Sequence, residues 1–166
     1  MTTMTEAAVT TQVHRIYIKA TPEAIWTAIT DPAWTEKYGY GGRGEYELRP
    51  GGKYVAYTSQ EMRDHGAPDV AIDGEILEAD PPHKLVHTFR MVMDDAMAAQ
   101  GFTRVTYEIA EVAGRSRLTV THELEGAPQL AELLSGAWED RGAGGGWPFV
   151  LSSLKSLLET GEGFTH

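Results

Sequence analysis

The stretch "GAGGGWPFVLSSLKSLLETGEG", residues 142–163, carries the strongest helical pattern in the chain. Pro148 suits a first helical turn and Gly161 a helix stop. On a wheel at about 100° per residue, Trp147, Val150, Leu151, Leu154, Leu157 and Leu158 fall within an arc of about 120°. Ser152, Ser153, Lys155, Ser156 and Glu159 fill the opposite side, and Phe149 sits among them as the exception. One face of this helix must therefore cover apolar surface while the other meets water.

The surface it covers is read from the strands. "VHRIYIKA" (13–20) is rich in β-branched and aromatic residues and reads as a strand. Thr21 then offers an N-cap before Pro22, and Ile25, Trp26 and Ile29 give a short apolar stripe. Asp31-Pro32 stops that helix and restarts a second one, up to Tyr38. From Gly39 onward the texture changes to alternation and turns. "GEYELRPGGKYVAYTS" (44–59) reads as two strands around Arg49–Gly52, and "DVAIDGEILEADPPHKLVHTFRM" (69–91) as two more around Asp80-Pro81-Pro82. "FTRVTYEIAEVAGRSRLTVTHEL" (102–124) reads as a hairpin turning near Gly114. Strands joined by turns with no helix between them make an antiparallel meander.

Alternation sorts the two faces of that meander. Val70, Ile72, Ile76, Leu85, His87, Phe89, Val105, Tyr107, Ile109, Leu118, Val120, His122 and Leu124 share one phase. The positions between them, such as Asp73, Glu75, Arg90, Glu108 and Glu123, are polar. This predicts one wet face and one covered face, with the terminal helix as the cover. A shorter helix is predicted over 127–140, where Leu130, Leu133, Leu134 and Trp138 keep helical spacing, and "RGAGGG" (141–146) reads as a flexible joint.

Composition narrows the function classes. The 166 residues suit one domain, with a disordered lead-in over 1–11 and the domain over 12–166. The formal net charge of −10, from 24 acidic and 14 basic residues, speaks against a nucleic-acid partner, which needs a basic surface. The absence of cysteine rules out disulfides and thiol nucleophiles and fits a reducing cytoplasm. "MTTMTEAAVTTQ" has neither the charge nor the apolar core of a targeting peptide, and no stretch nears the roughly 20 apolar residues of a membrane span. A cytoplasmic location is expected, and a homodimer is compatible with these features.

The element order, together with "ATPEAIWTAITDP", "RPGGKY", "GEILEADPPHKLVHTFR" and "GGWPFVLSSLKSLLETG", resembles the helix-grip, START-related (SRPBCC) superfamily over about residues 12–161. More narrowly, it resembles the bacterial proteins named after the activator of the heat-shock-chaperone ATPase (AHSA-type). The resemblance implies an α+β fold in which a curved antiparallel sheet of about six to seven strands wraps a long C-terminal helix. It also implies an internal pocket for a small hydrophobic molecule, aromatic or polyketide-like, bound for sequestration or transport and needing no cofactor. The superfamily includes cofactor-independent cyclases, aromatases and dehydratases as well as co-chaperone domains, so those remain the alternatives.

The candidate site residues follow from facing and size. His87 and His122 occupy covered positions, where the bland reading is a core histidine and the sharper one a neutral imidazole that orients a ligand. If chemistry occurs, His122 is the expected acid/base and Tyr107 the donor to an oxyanion. Trp34, Tyr38, Tyr57, Phe89, Trp138, Trp147, Leu151 and Leu154 complete the expected lining. Met91, Met93 and Met97 fit either an adaptable wall or a surface loop. "GYGGRG" (39–44) spells a dinucleotide fingerprint but stands between a helix and a strand, the reverse of what that motif requires, so it reads as a rim loop. His83 and His87 lie roughly 13 Å apart if on a strand, too far for one metal ion, and no metal is expected.

Overall fold

The computed structural model describes residues 11–141 and 144–164. Seven strands form one antiparallel sheet: β1 (Thr11–Ile18), β2 (Gly44–Tyr46), β3 (Lys53–Tyr57), β4 (Val70–Asp80), β5 (Lys84–Met91), β6 (Thr103–Val112) and β7 (Arg115–Glu123). Their spatial order is β1-β7-β6-β5-β4-β3-β2, so the meander runs unbroken and β1 returns beside the last strand. Irregularities between Ala56 and Tyr57 and between Ile76 and Glu78 bend the ladder. Thr11 pairs with Glu123, so residue 11 belongs to the sheet and not to a lead-in; residues 1–10 fall outside the described part.

Two short helices, α1 (Pro22–Thr30) and α2 (Pro32–Thr35), follow β1 as the caps predict. Thr21 Oγ1 accepts the Ala24 N–H at 3.1 Å, and Asp31 ends α1 while its carboxylate accepts the Ala33 N–H at 2.9 Å. Two one-turn helices were not anticipated: α3 (Gln60–Asp64), capped by Ser59, and α4 (Asp95–Ala98), capped by Asp94. Elements of 5 and 4 residues are too short to show periodicity, and their capping residues were the available signal. The helix predicted over 127–140 divides into α5 (Pro128–Ser135) and a 3₁₀ turn (Glu139–Arg141).

The long helix α6 (Gly146–Thr160) lies against the covered face, giving the α+β helix-grip architecture. Trp147, Leu151, Leu154 and Leu157 are buried, with Leu154 only 1% exposed. Each such residue removed from water contributes about 1.5–3 kcal/mol. The same helix guards the free edge of β1: Lys155 Nζ donates to the Tyr17 carbonyl at 2.6 Å, and Glu159 accepts the Lys19 N–H at 2.8 Å. Those side chains occupy backbone groups that would otherwise recruit another strand.

One wheel assignment is overturned, and one exception explained, by neighbours outside the helix. Ser153, placed on the wet side, is fully buried; its Oγ accepts N–H groups from Gly39 at 3.0 Å and Phe164 at 2.9 Å. Phe149 stacks on Tyr40 at 5.2 Å and meets Phe164 at 5.7 Å, which explains its presence on the polar side. The glycine run before α6 is a close-packing device where it is described. A Cβ on Gly146 would stand 2.2 Å from the Leu134 carbonyl oxygen, so glycine lets α5 and α6 meet. Residues 142–143 of that predicted joint fall outside the described part.

Candidate functional site

His87 stands at the centre of the covered face, paired across the sheet with Ile76 on β4 and Val105 on β6. Its side chain is fully buried. Nδ1 lies 2.7 Å from the carbonyl oxygen of Thr88. A carbonyl only accepts, so Nδ1 carries the proton and Nε2 presents a lone pair. Among the described residues Nε2 has no hydrogen-bond partner.

The sheet is locally opened to hold this tautomer. Ladder pairing stops at Asp73–Arg90 and resumes at Ile76–His87. In the gap, the Thr88 hydroxyl accepts the Glu75 N–H at 2.8 Å, while the Thr88 carbonyl serves the His87 ring. Gly74 makes room for this, since a Cβ there would lie 2.0 Å from that carbonyl oxygen. Burial pushes the His87 pKa down to about 4, with the Thr88 contact opposing, so the ring is neutral at pH 7.

Tyrosines surround the ring. Tyr46 and Tyr54 face each other across the β2–β3 hairpin and stack at 4.7 Å. Tyr54 approaches the imidazole to 4.2 Å between centroids, and Tyr46 and Tyr107 each to 5.9 Å. The phenols of Tyr46, Tyr54 and Tyr107 lie close enough to act on one another electrostatically, and Tyr38 adjoins them. Burial raises the pKa of all four phenols above the usual value, and their mutual repulsion adds to it. Tyr38 and Tyr46 are only half-buried, so the cluster connects the buried imidazole to the surface on that side.

His122, on β7, sits in a different setting. Trp147 Nε1–H can only donate, and it reaches His122 Nδ1 at 3.1 Å. The neutral ring therefore carries its proton on Nε2, which donates to Thr103 Oγ1 at 2.7 Å. The Thr103 hydroxyl in turn donates to the Phe89 carbonyl at 3.0 Å. Every polar atom in this relay is used by the protein. Burial, with His87 and His14 adding to it, lowers the His122 pKa to about 3.

Two open hollows lie elsewhere. One, of about 410 Å³, is on the wet face of the sheet between Leu77, Lys84, Val86 and Arg104. The other, of about 660 Å³, is bounded by Arg43, Glu45, Tyr57, Arg63 and Asp69. Neither lies between the sheet and α6, where the rings of the two histidine clusters occupy the space. Among the described residues no three His, Asp or Glu side chains gather to hold a metal ion.

The family model described as Activator of Hsp90 ATPase homolog 1-like protein matches residues 19–159. The chain belongs to this family. Protein MLL2253 from Mesorhizobium loti superposes with a TM-score of 0.65 at 20% identity, covering 89% of this chain and 96% of that one. The Aha1 dimer from Colwellia psychrerythraea gives 0.64 at 19% identity, over 92% and 98% of the two chains. PFC0360w from Plasmodium falciparum, described as an HSP90 activator, gives 0.63 at 22% identity, over 90% and 96%. These identities establish a shared fold and nothing finer. No match was found among curated proteins.

Against that family fold, the expected site residues divide. His87, Tyr38 and Tyr107 converge, and Trp147 joins Tyr107 to His122 at ring separations of 6.1 and 6.0 Å. Phe89 packs edge-on against His122 at 4.8 Å, and Leu151 and Leu154 sit in the core. Three residues lie apart from the His87 cluster. Tyr57 lines the outer hollow with its hydroxyl 3.4 Å from Glu45, because β3 turns alternate residues to opposite faces. Trp34 packs beside the core under Lys37, and Trp138 bonds Glu132 near the end of α5. Of the methionines, Met97 is buried, Met91 half-buried and Met93 exposed. Tyr46 and Tyr54 were missed. They stand four residues either side of Pro50, and pairing outward from that turn would have put them face to face.

Among the described residues no helix is long and apolar enough to cross a membrane.

Proposed function

We propose that the protein binds a small, largely apolar molecule, aromatic in character, at the His87–tyrosine cluster, for sequestration or transport. The observation that carries this reading is the unpaired Nε2 of a fully buried imidazole. Buried polar atoms almost always have a partner, and an exception calls for a group that supplies one. Here the exception is ringed by aromatic walls and reached from half-buried Tyr38 and Tyr46. The ligand gains access when Tyr38 and the loop after it swing away, because the rings otherwise fill the space.

Binding is favoured over cyclase, aromatase or dehydratase chemistry by the basicity of the candidate base. His87 titrates at about 4. Taking a proton from an enol or phenol of pKa about 10 would be uphill by about 6 units, or about 8 kcal/mol. His122, the base expected from the strand pattern, has both nitrogens committed to Trp147 and Thr103. In this reading Tyr107 is a binding donor and His122 a support for the wall.

Native mass spectrometry of freshly purified protein tests the reading, together with fluorescence titration of an aromatic panel. A retained small molecule, or saturable quenching of the cluster, is expected. Bare protein that no aromatic compound perturbs would contradict it. The family name supplies the competing reading, a chaperone-activating module. Enrichment of the heat-shock chaperone in a pull-down, with no aromatic ligand bound, would put that reading in its place.

A further inference from the structure

We infer that the ligand is an uncharged aromatic molecule carrying a hydrogen-bond donor, in its simplest form a phenolic hydroxyl, directed at His87 Nε2. This rests on the binding reading above and specifies its chemistry. Because Thr88 holds the Nδ1 proton, Nε2 can only accept, and a ligand acceptor placed there would be repelled. The ligand must bring the proton. A hydroxyl that donates to Nε2 still has lone pairs to offer, and the Tyr46, Tyr54 and Tyr107 rings all lie against the imidazole. One of these phenols can turn its proton to the ligand oxygen.

The walls set the rest of the specification. Tyr46, Tyr54 and Tyr107 present ring faces and edges around the imidazole, which suits a flat aromatic guest. Among the described residues no Lys, Arg, Asp or Glu acts on His87 or on the four phenols, so a charged ligand would be buried without a counter-ion. The approach is closed by contacts that can separate and re-form. Next to Tyr38, the Gly39 N–H is tied to Ser153, and the Tyr40 hydroxyl accepts the Gly146 N–H at 3.0 Å. These tie the loop to α6.

The test is a fluorescence titration of the full chain at pH 7 with naphthol, methylnaphthalene and naphthoate, all substituted at the same ring position. Naphthol is expected to bind at least about tenfold more tightly than methylnaphthalene, although the methyl group is the more hydrophobic. Naphthoate is expected to bind more weakly than naphthol. His87→Phe should abolish the preference for naphthol over methylnaphthalene. Equal affinities for naphthol and methylnaphthalene would overturn the donor inference and leave the binding reading intact. Tightest binding by naphthoate would overturn the uncharged specification. Absence of binding by all three would bring down the binding reading with it. The ligand series on the unaltered chain decides these outcomes even if His87→Phe fails to fold.

Discussion

Thr103→Val isolates the relay that holds His122. Thr103 is 6% exposed, and valine matches its shape while losing the hydroxyl. One group then loses its partner inside the protein: the Nε2–H of His122, 2.7 Å away, whereas the Phe89 carbonyl, 3.0 Å from the hydroxyl, still faces the Thr103 backbone in the ladder. A buried group left unpaired costs about 1–3 kcal/mol, which is the expected loss here. In a chain of this length each kcal/mol lowers Tm by about 2–4 °C, which predicts a fall of about 2–12 °C. Thr103→Ser keeps the hydroxyl and loses one methyl, for about 1 kcal/mol. The assay is thermal and urea unfolding of the three proteins side by side, with Thr103→Val/His122→Leu as the coupled variant. The double variant should be more stable than the sum of its parts by more than about 1 kcal/mol. If Thr103→Val melts with or above Thr103→Ser, the relay is wrong and His122 is free for other work.

Acid should destabilise the fold through its histidines. His87 and His122 titrate at about 4 and about 3 when folded, against 6.5 when exposed. The unfolded chain therefore binds more protons below pH 6.5, and stability, complete above that pH, falls on acidification until the folded values are passed. Each histidine contributes about 1.4 kcal/mol per pH unit, so urea melts of His87→Phe should show a shallower acid slope by that amount; identical slopes would count against a buried neutral His87. Gly74→Ala places a methyl carbon where only 2.0 Å separates it from the Thr88 carbonyl, and should cost about 1–3 kcal/mol while weakening the preference for naphthol. An unchanged preference would show that Thr88 does not position His87. Leu154→Ala, at a residue 1% exposed, should lower stability by about 2–5 kcal/mol in denaturant titration. A loss under about 1 kcal/mol would mean that α6 is not the cover of the sheet.

The fold was legible because its signals are local and periodic. Period-two alternation turned His87, Phe89, Tyr107 and His122 to the covered face, and the α6 wheel placed Leu151 and Leu154 against it. Facing does not specify partners, however. His87 and His122 read alike along their strands, yet one ends with a free lone pair and the other with none. That difference comes from Trp147 and Thr103, distant in sequence and adjacent only after folding. Ser153 shows the same limit: the wheel makes it wet, and the Gly39 loop and Phe164 bury it. Tyr46 was hidden because β2 has 3 residues, too few for alternation to register.

Long-range proton–nitrogen NMR of the imidazole rings reads the central claim most directly. His87 should appear with its proton on Nδ1 and a bare Nε2, and His122 with the opposite tautomer. On addition of naphthol the His87 Nε2 resonance should move towards the hydrogen-bonded position while the His122 nitrogens stay where they are. A protonated Nε2 on His87, or a titration that moves His122 and leaves His87 untouched, would contradict the account.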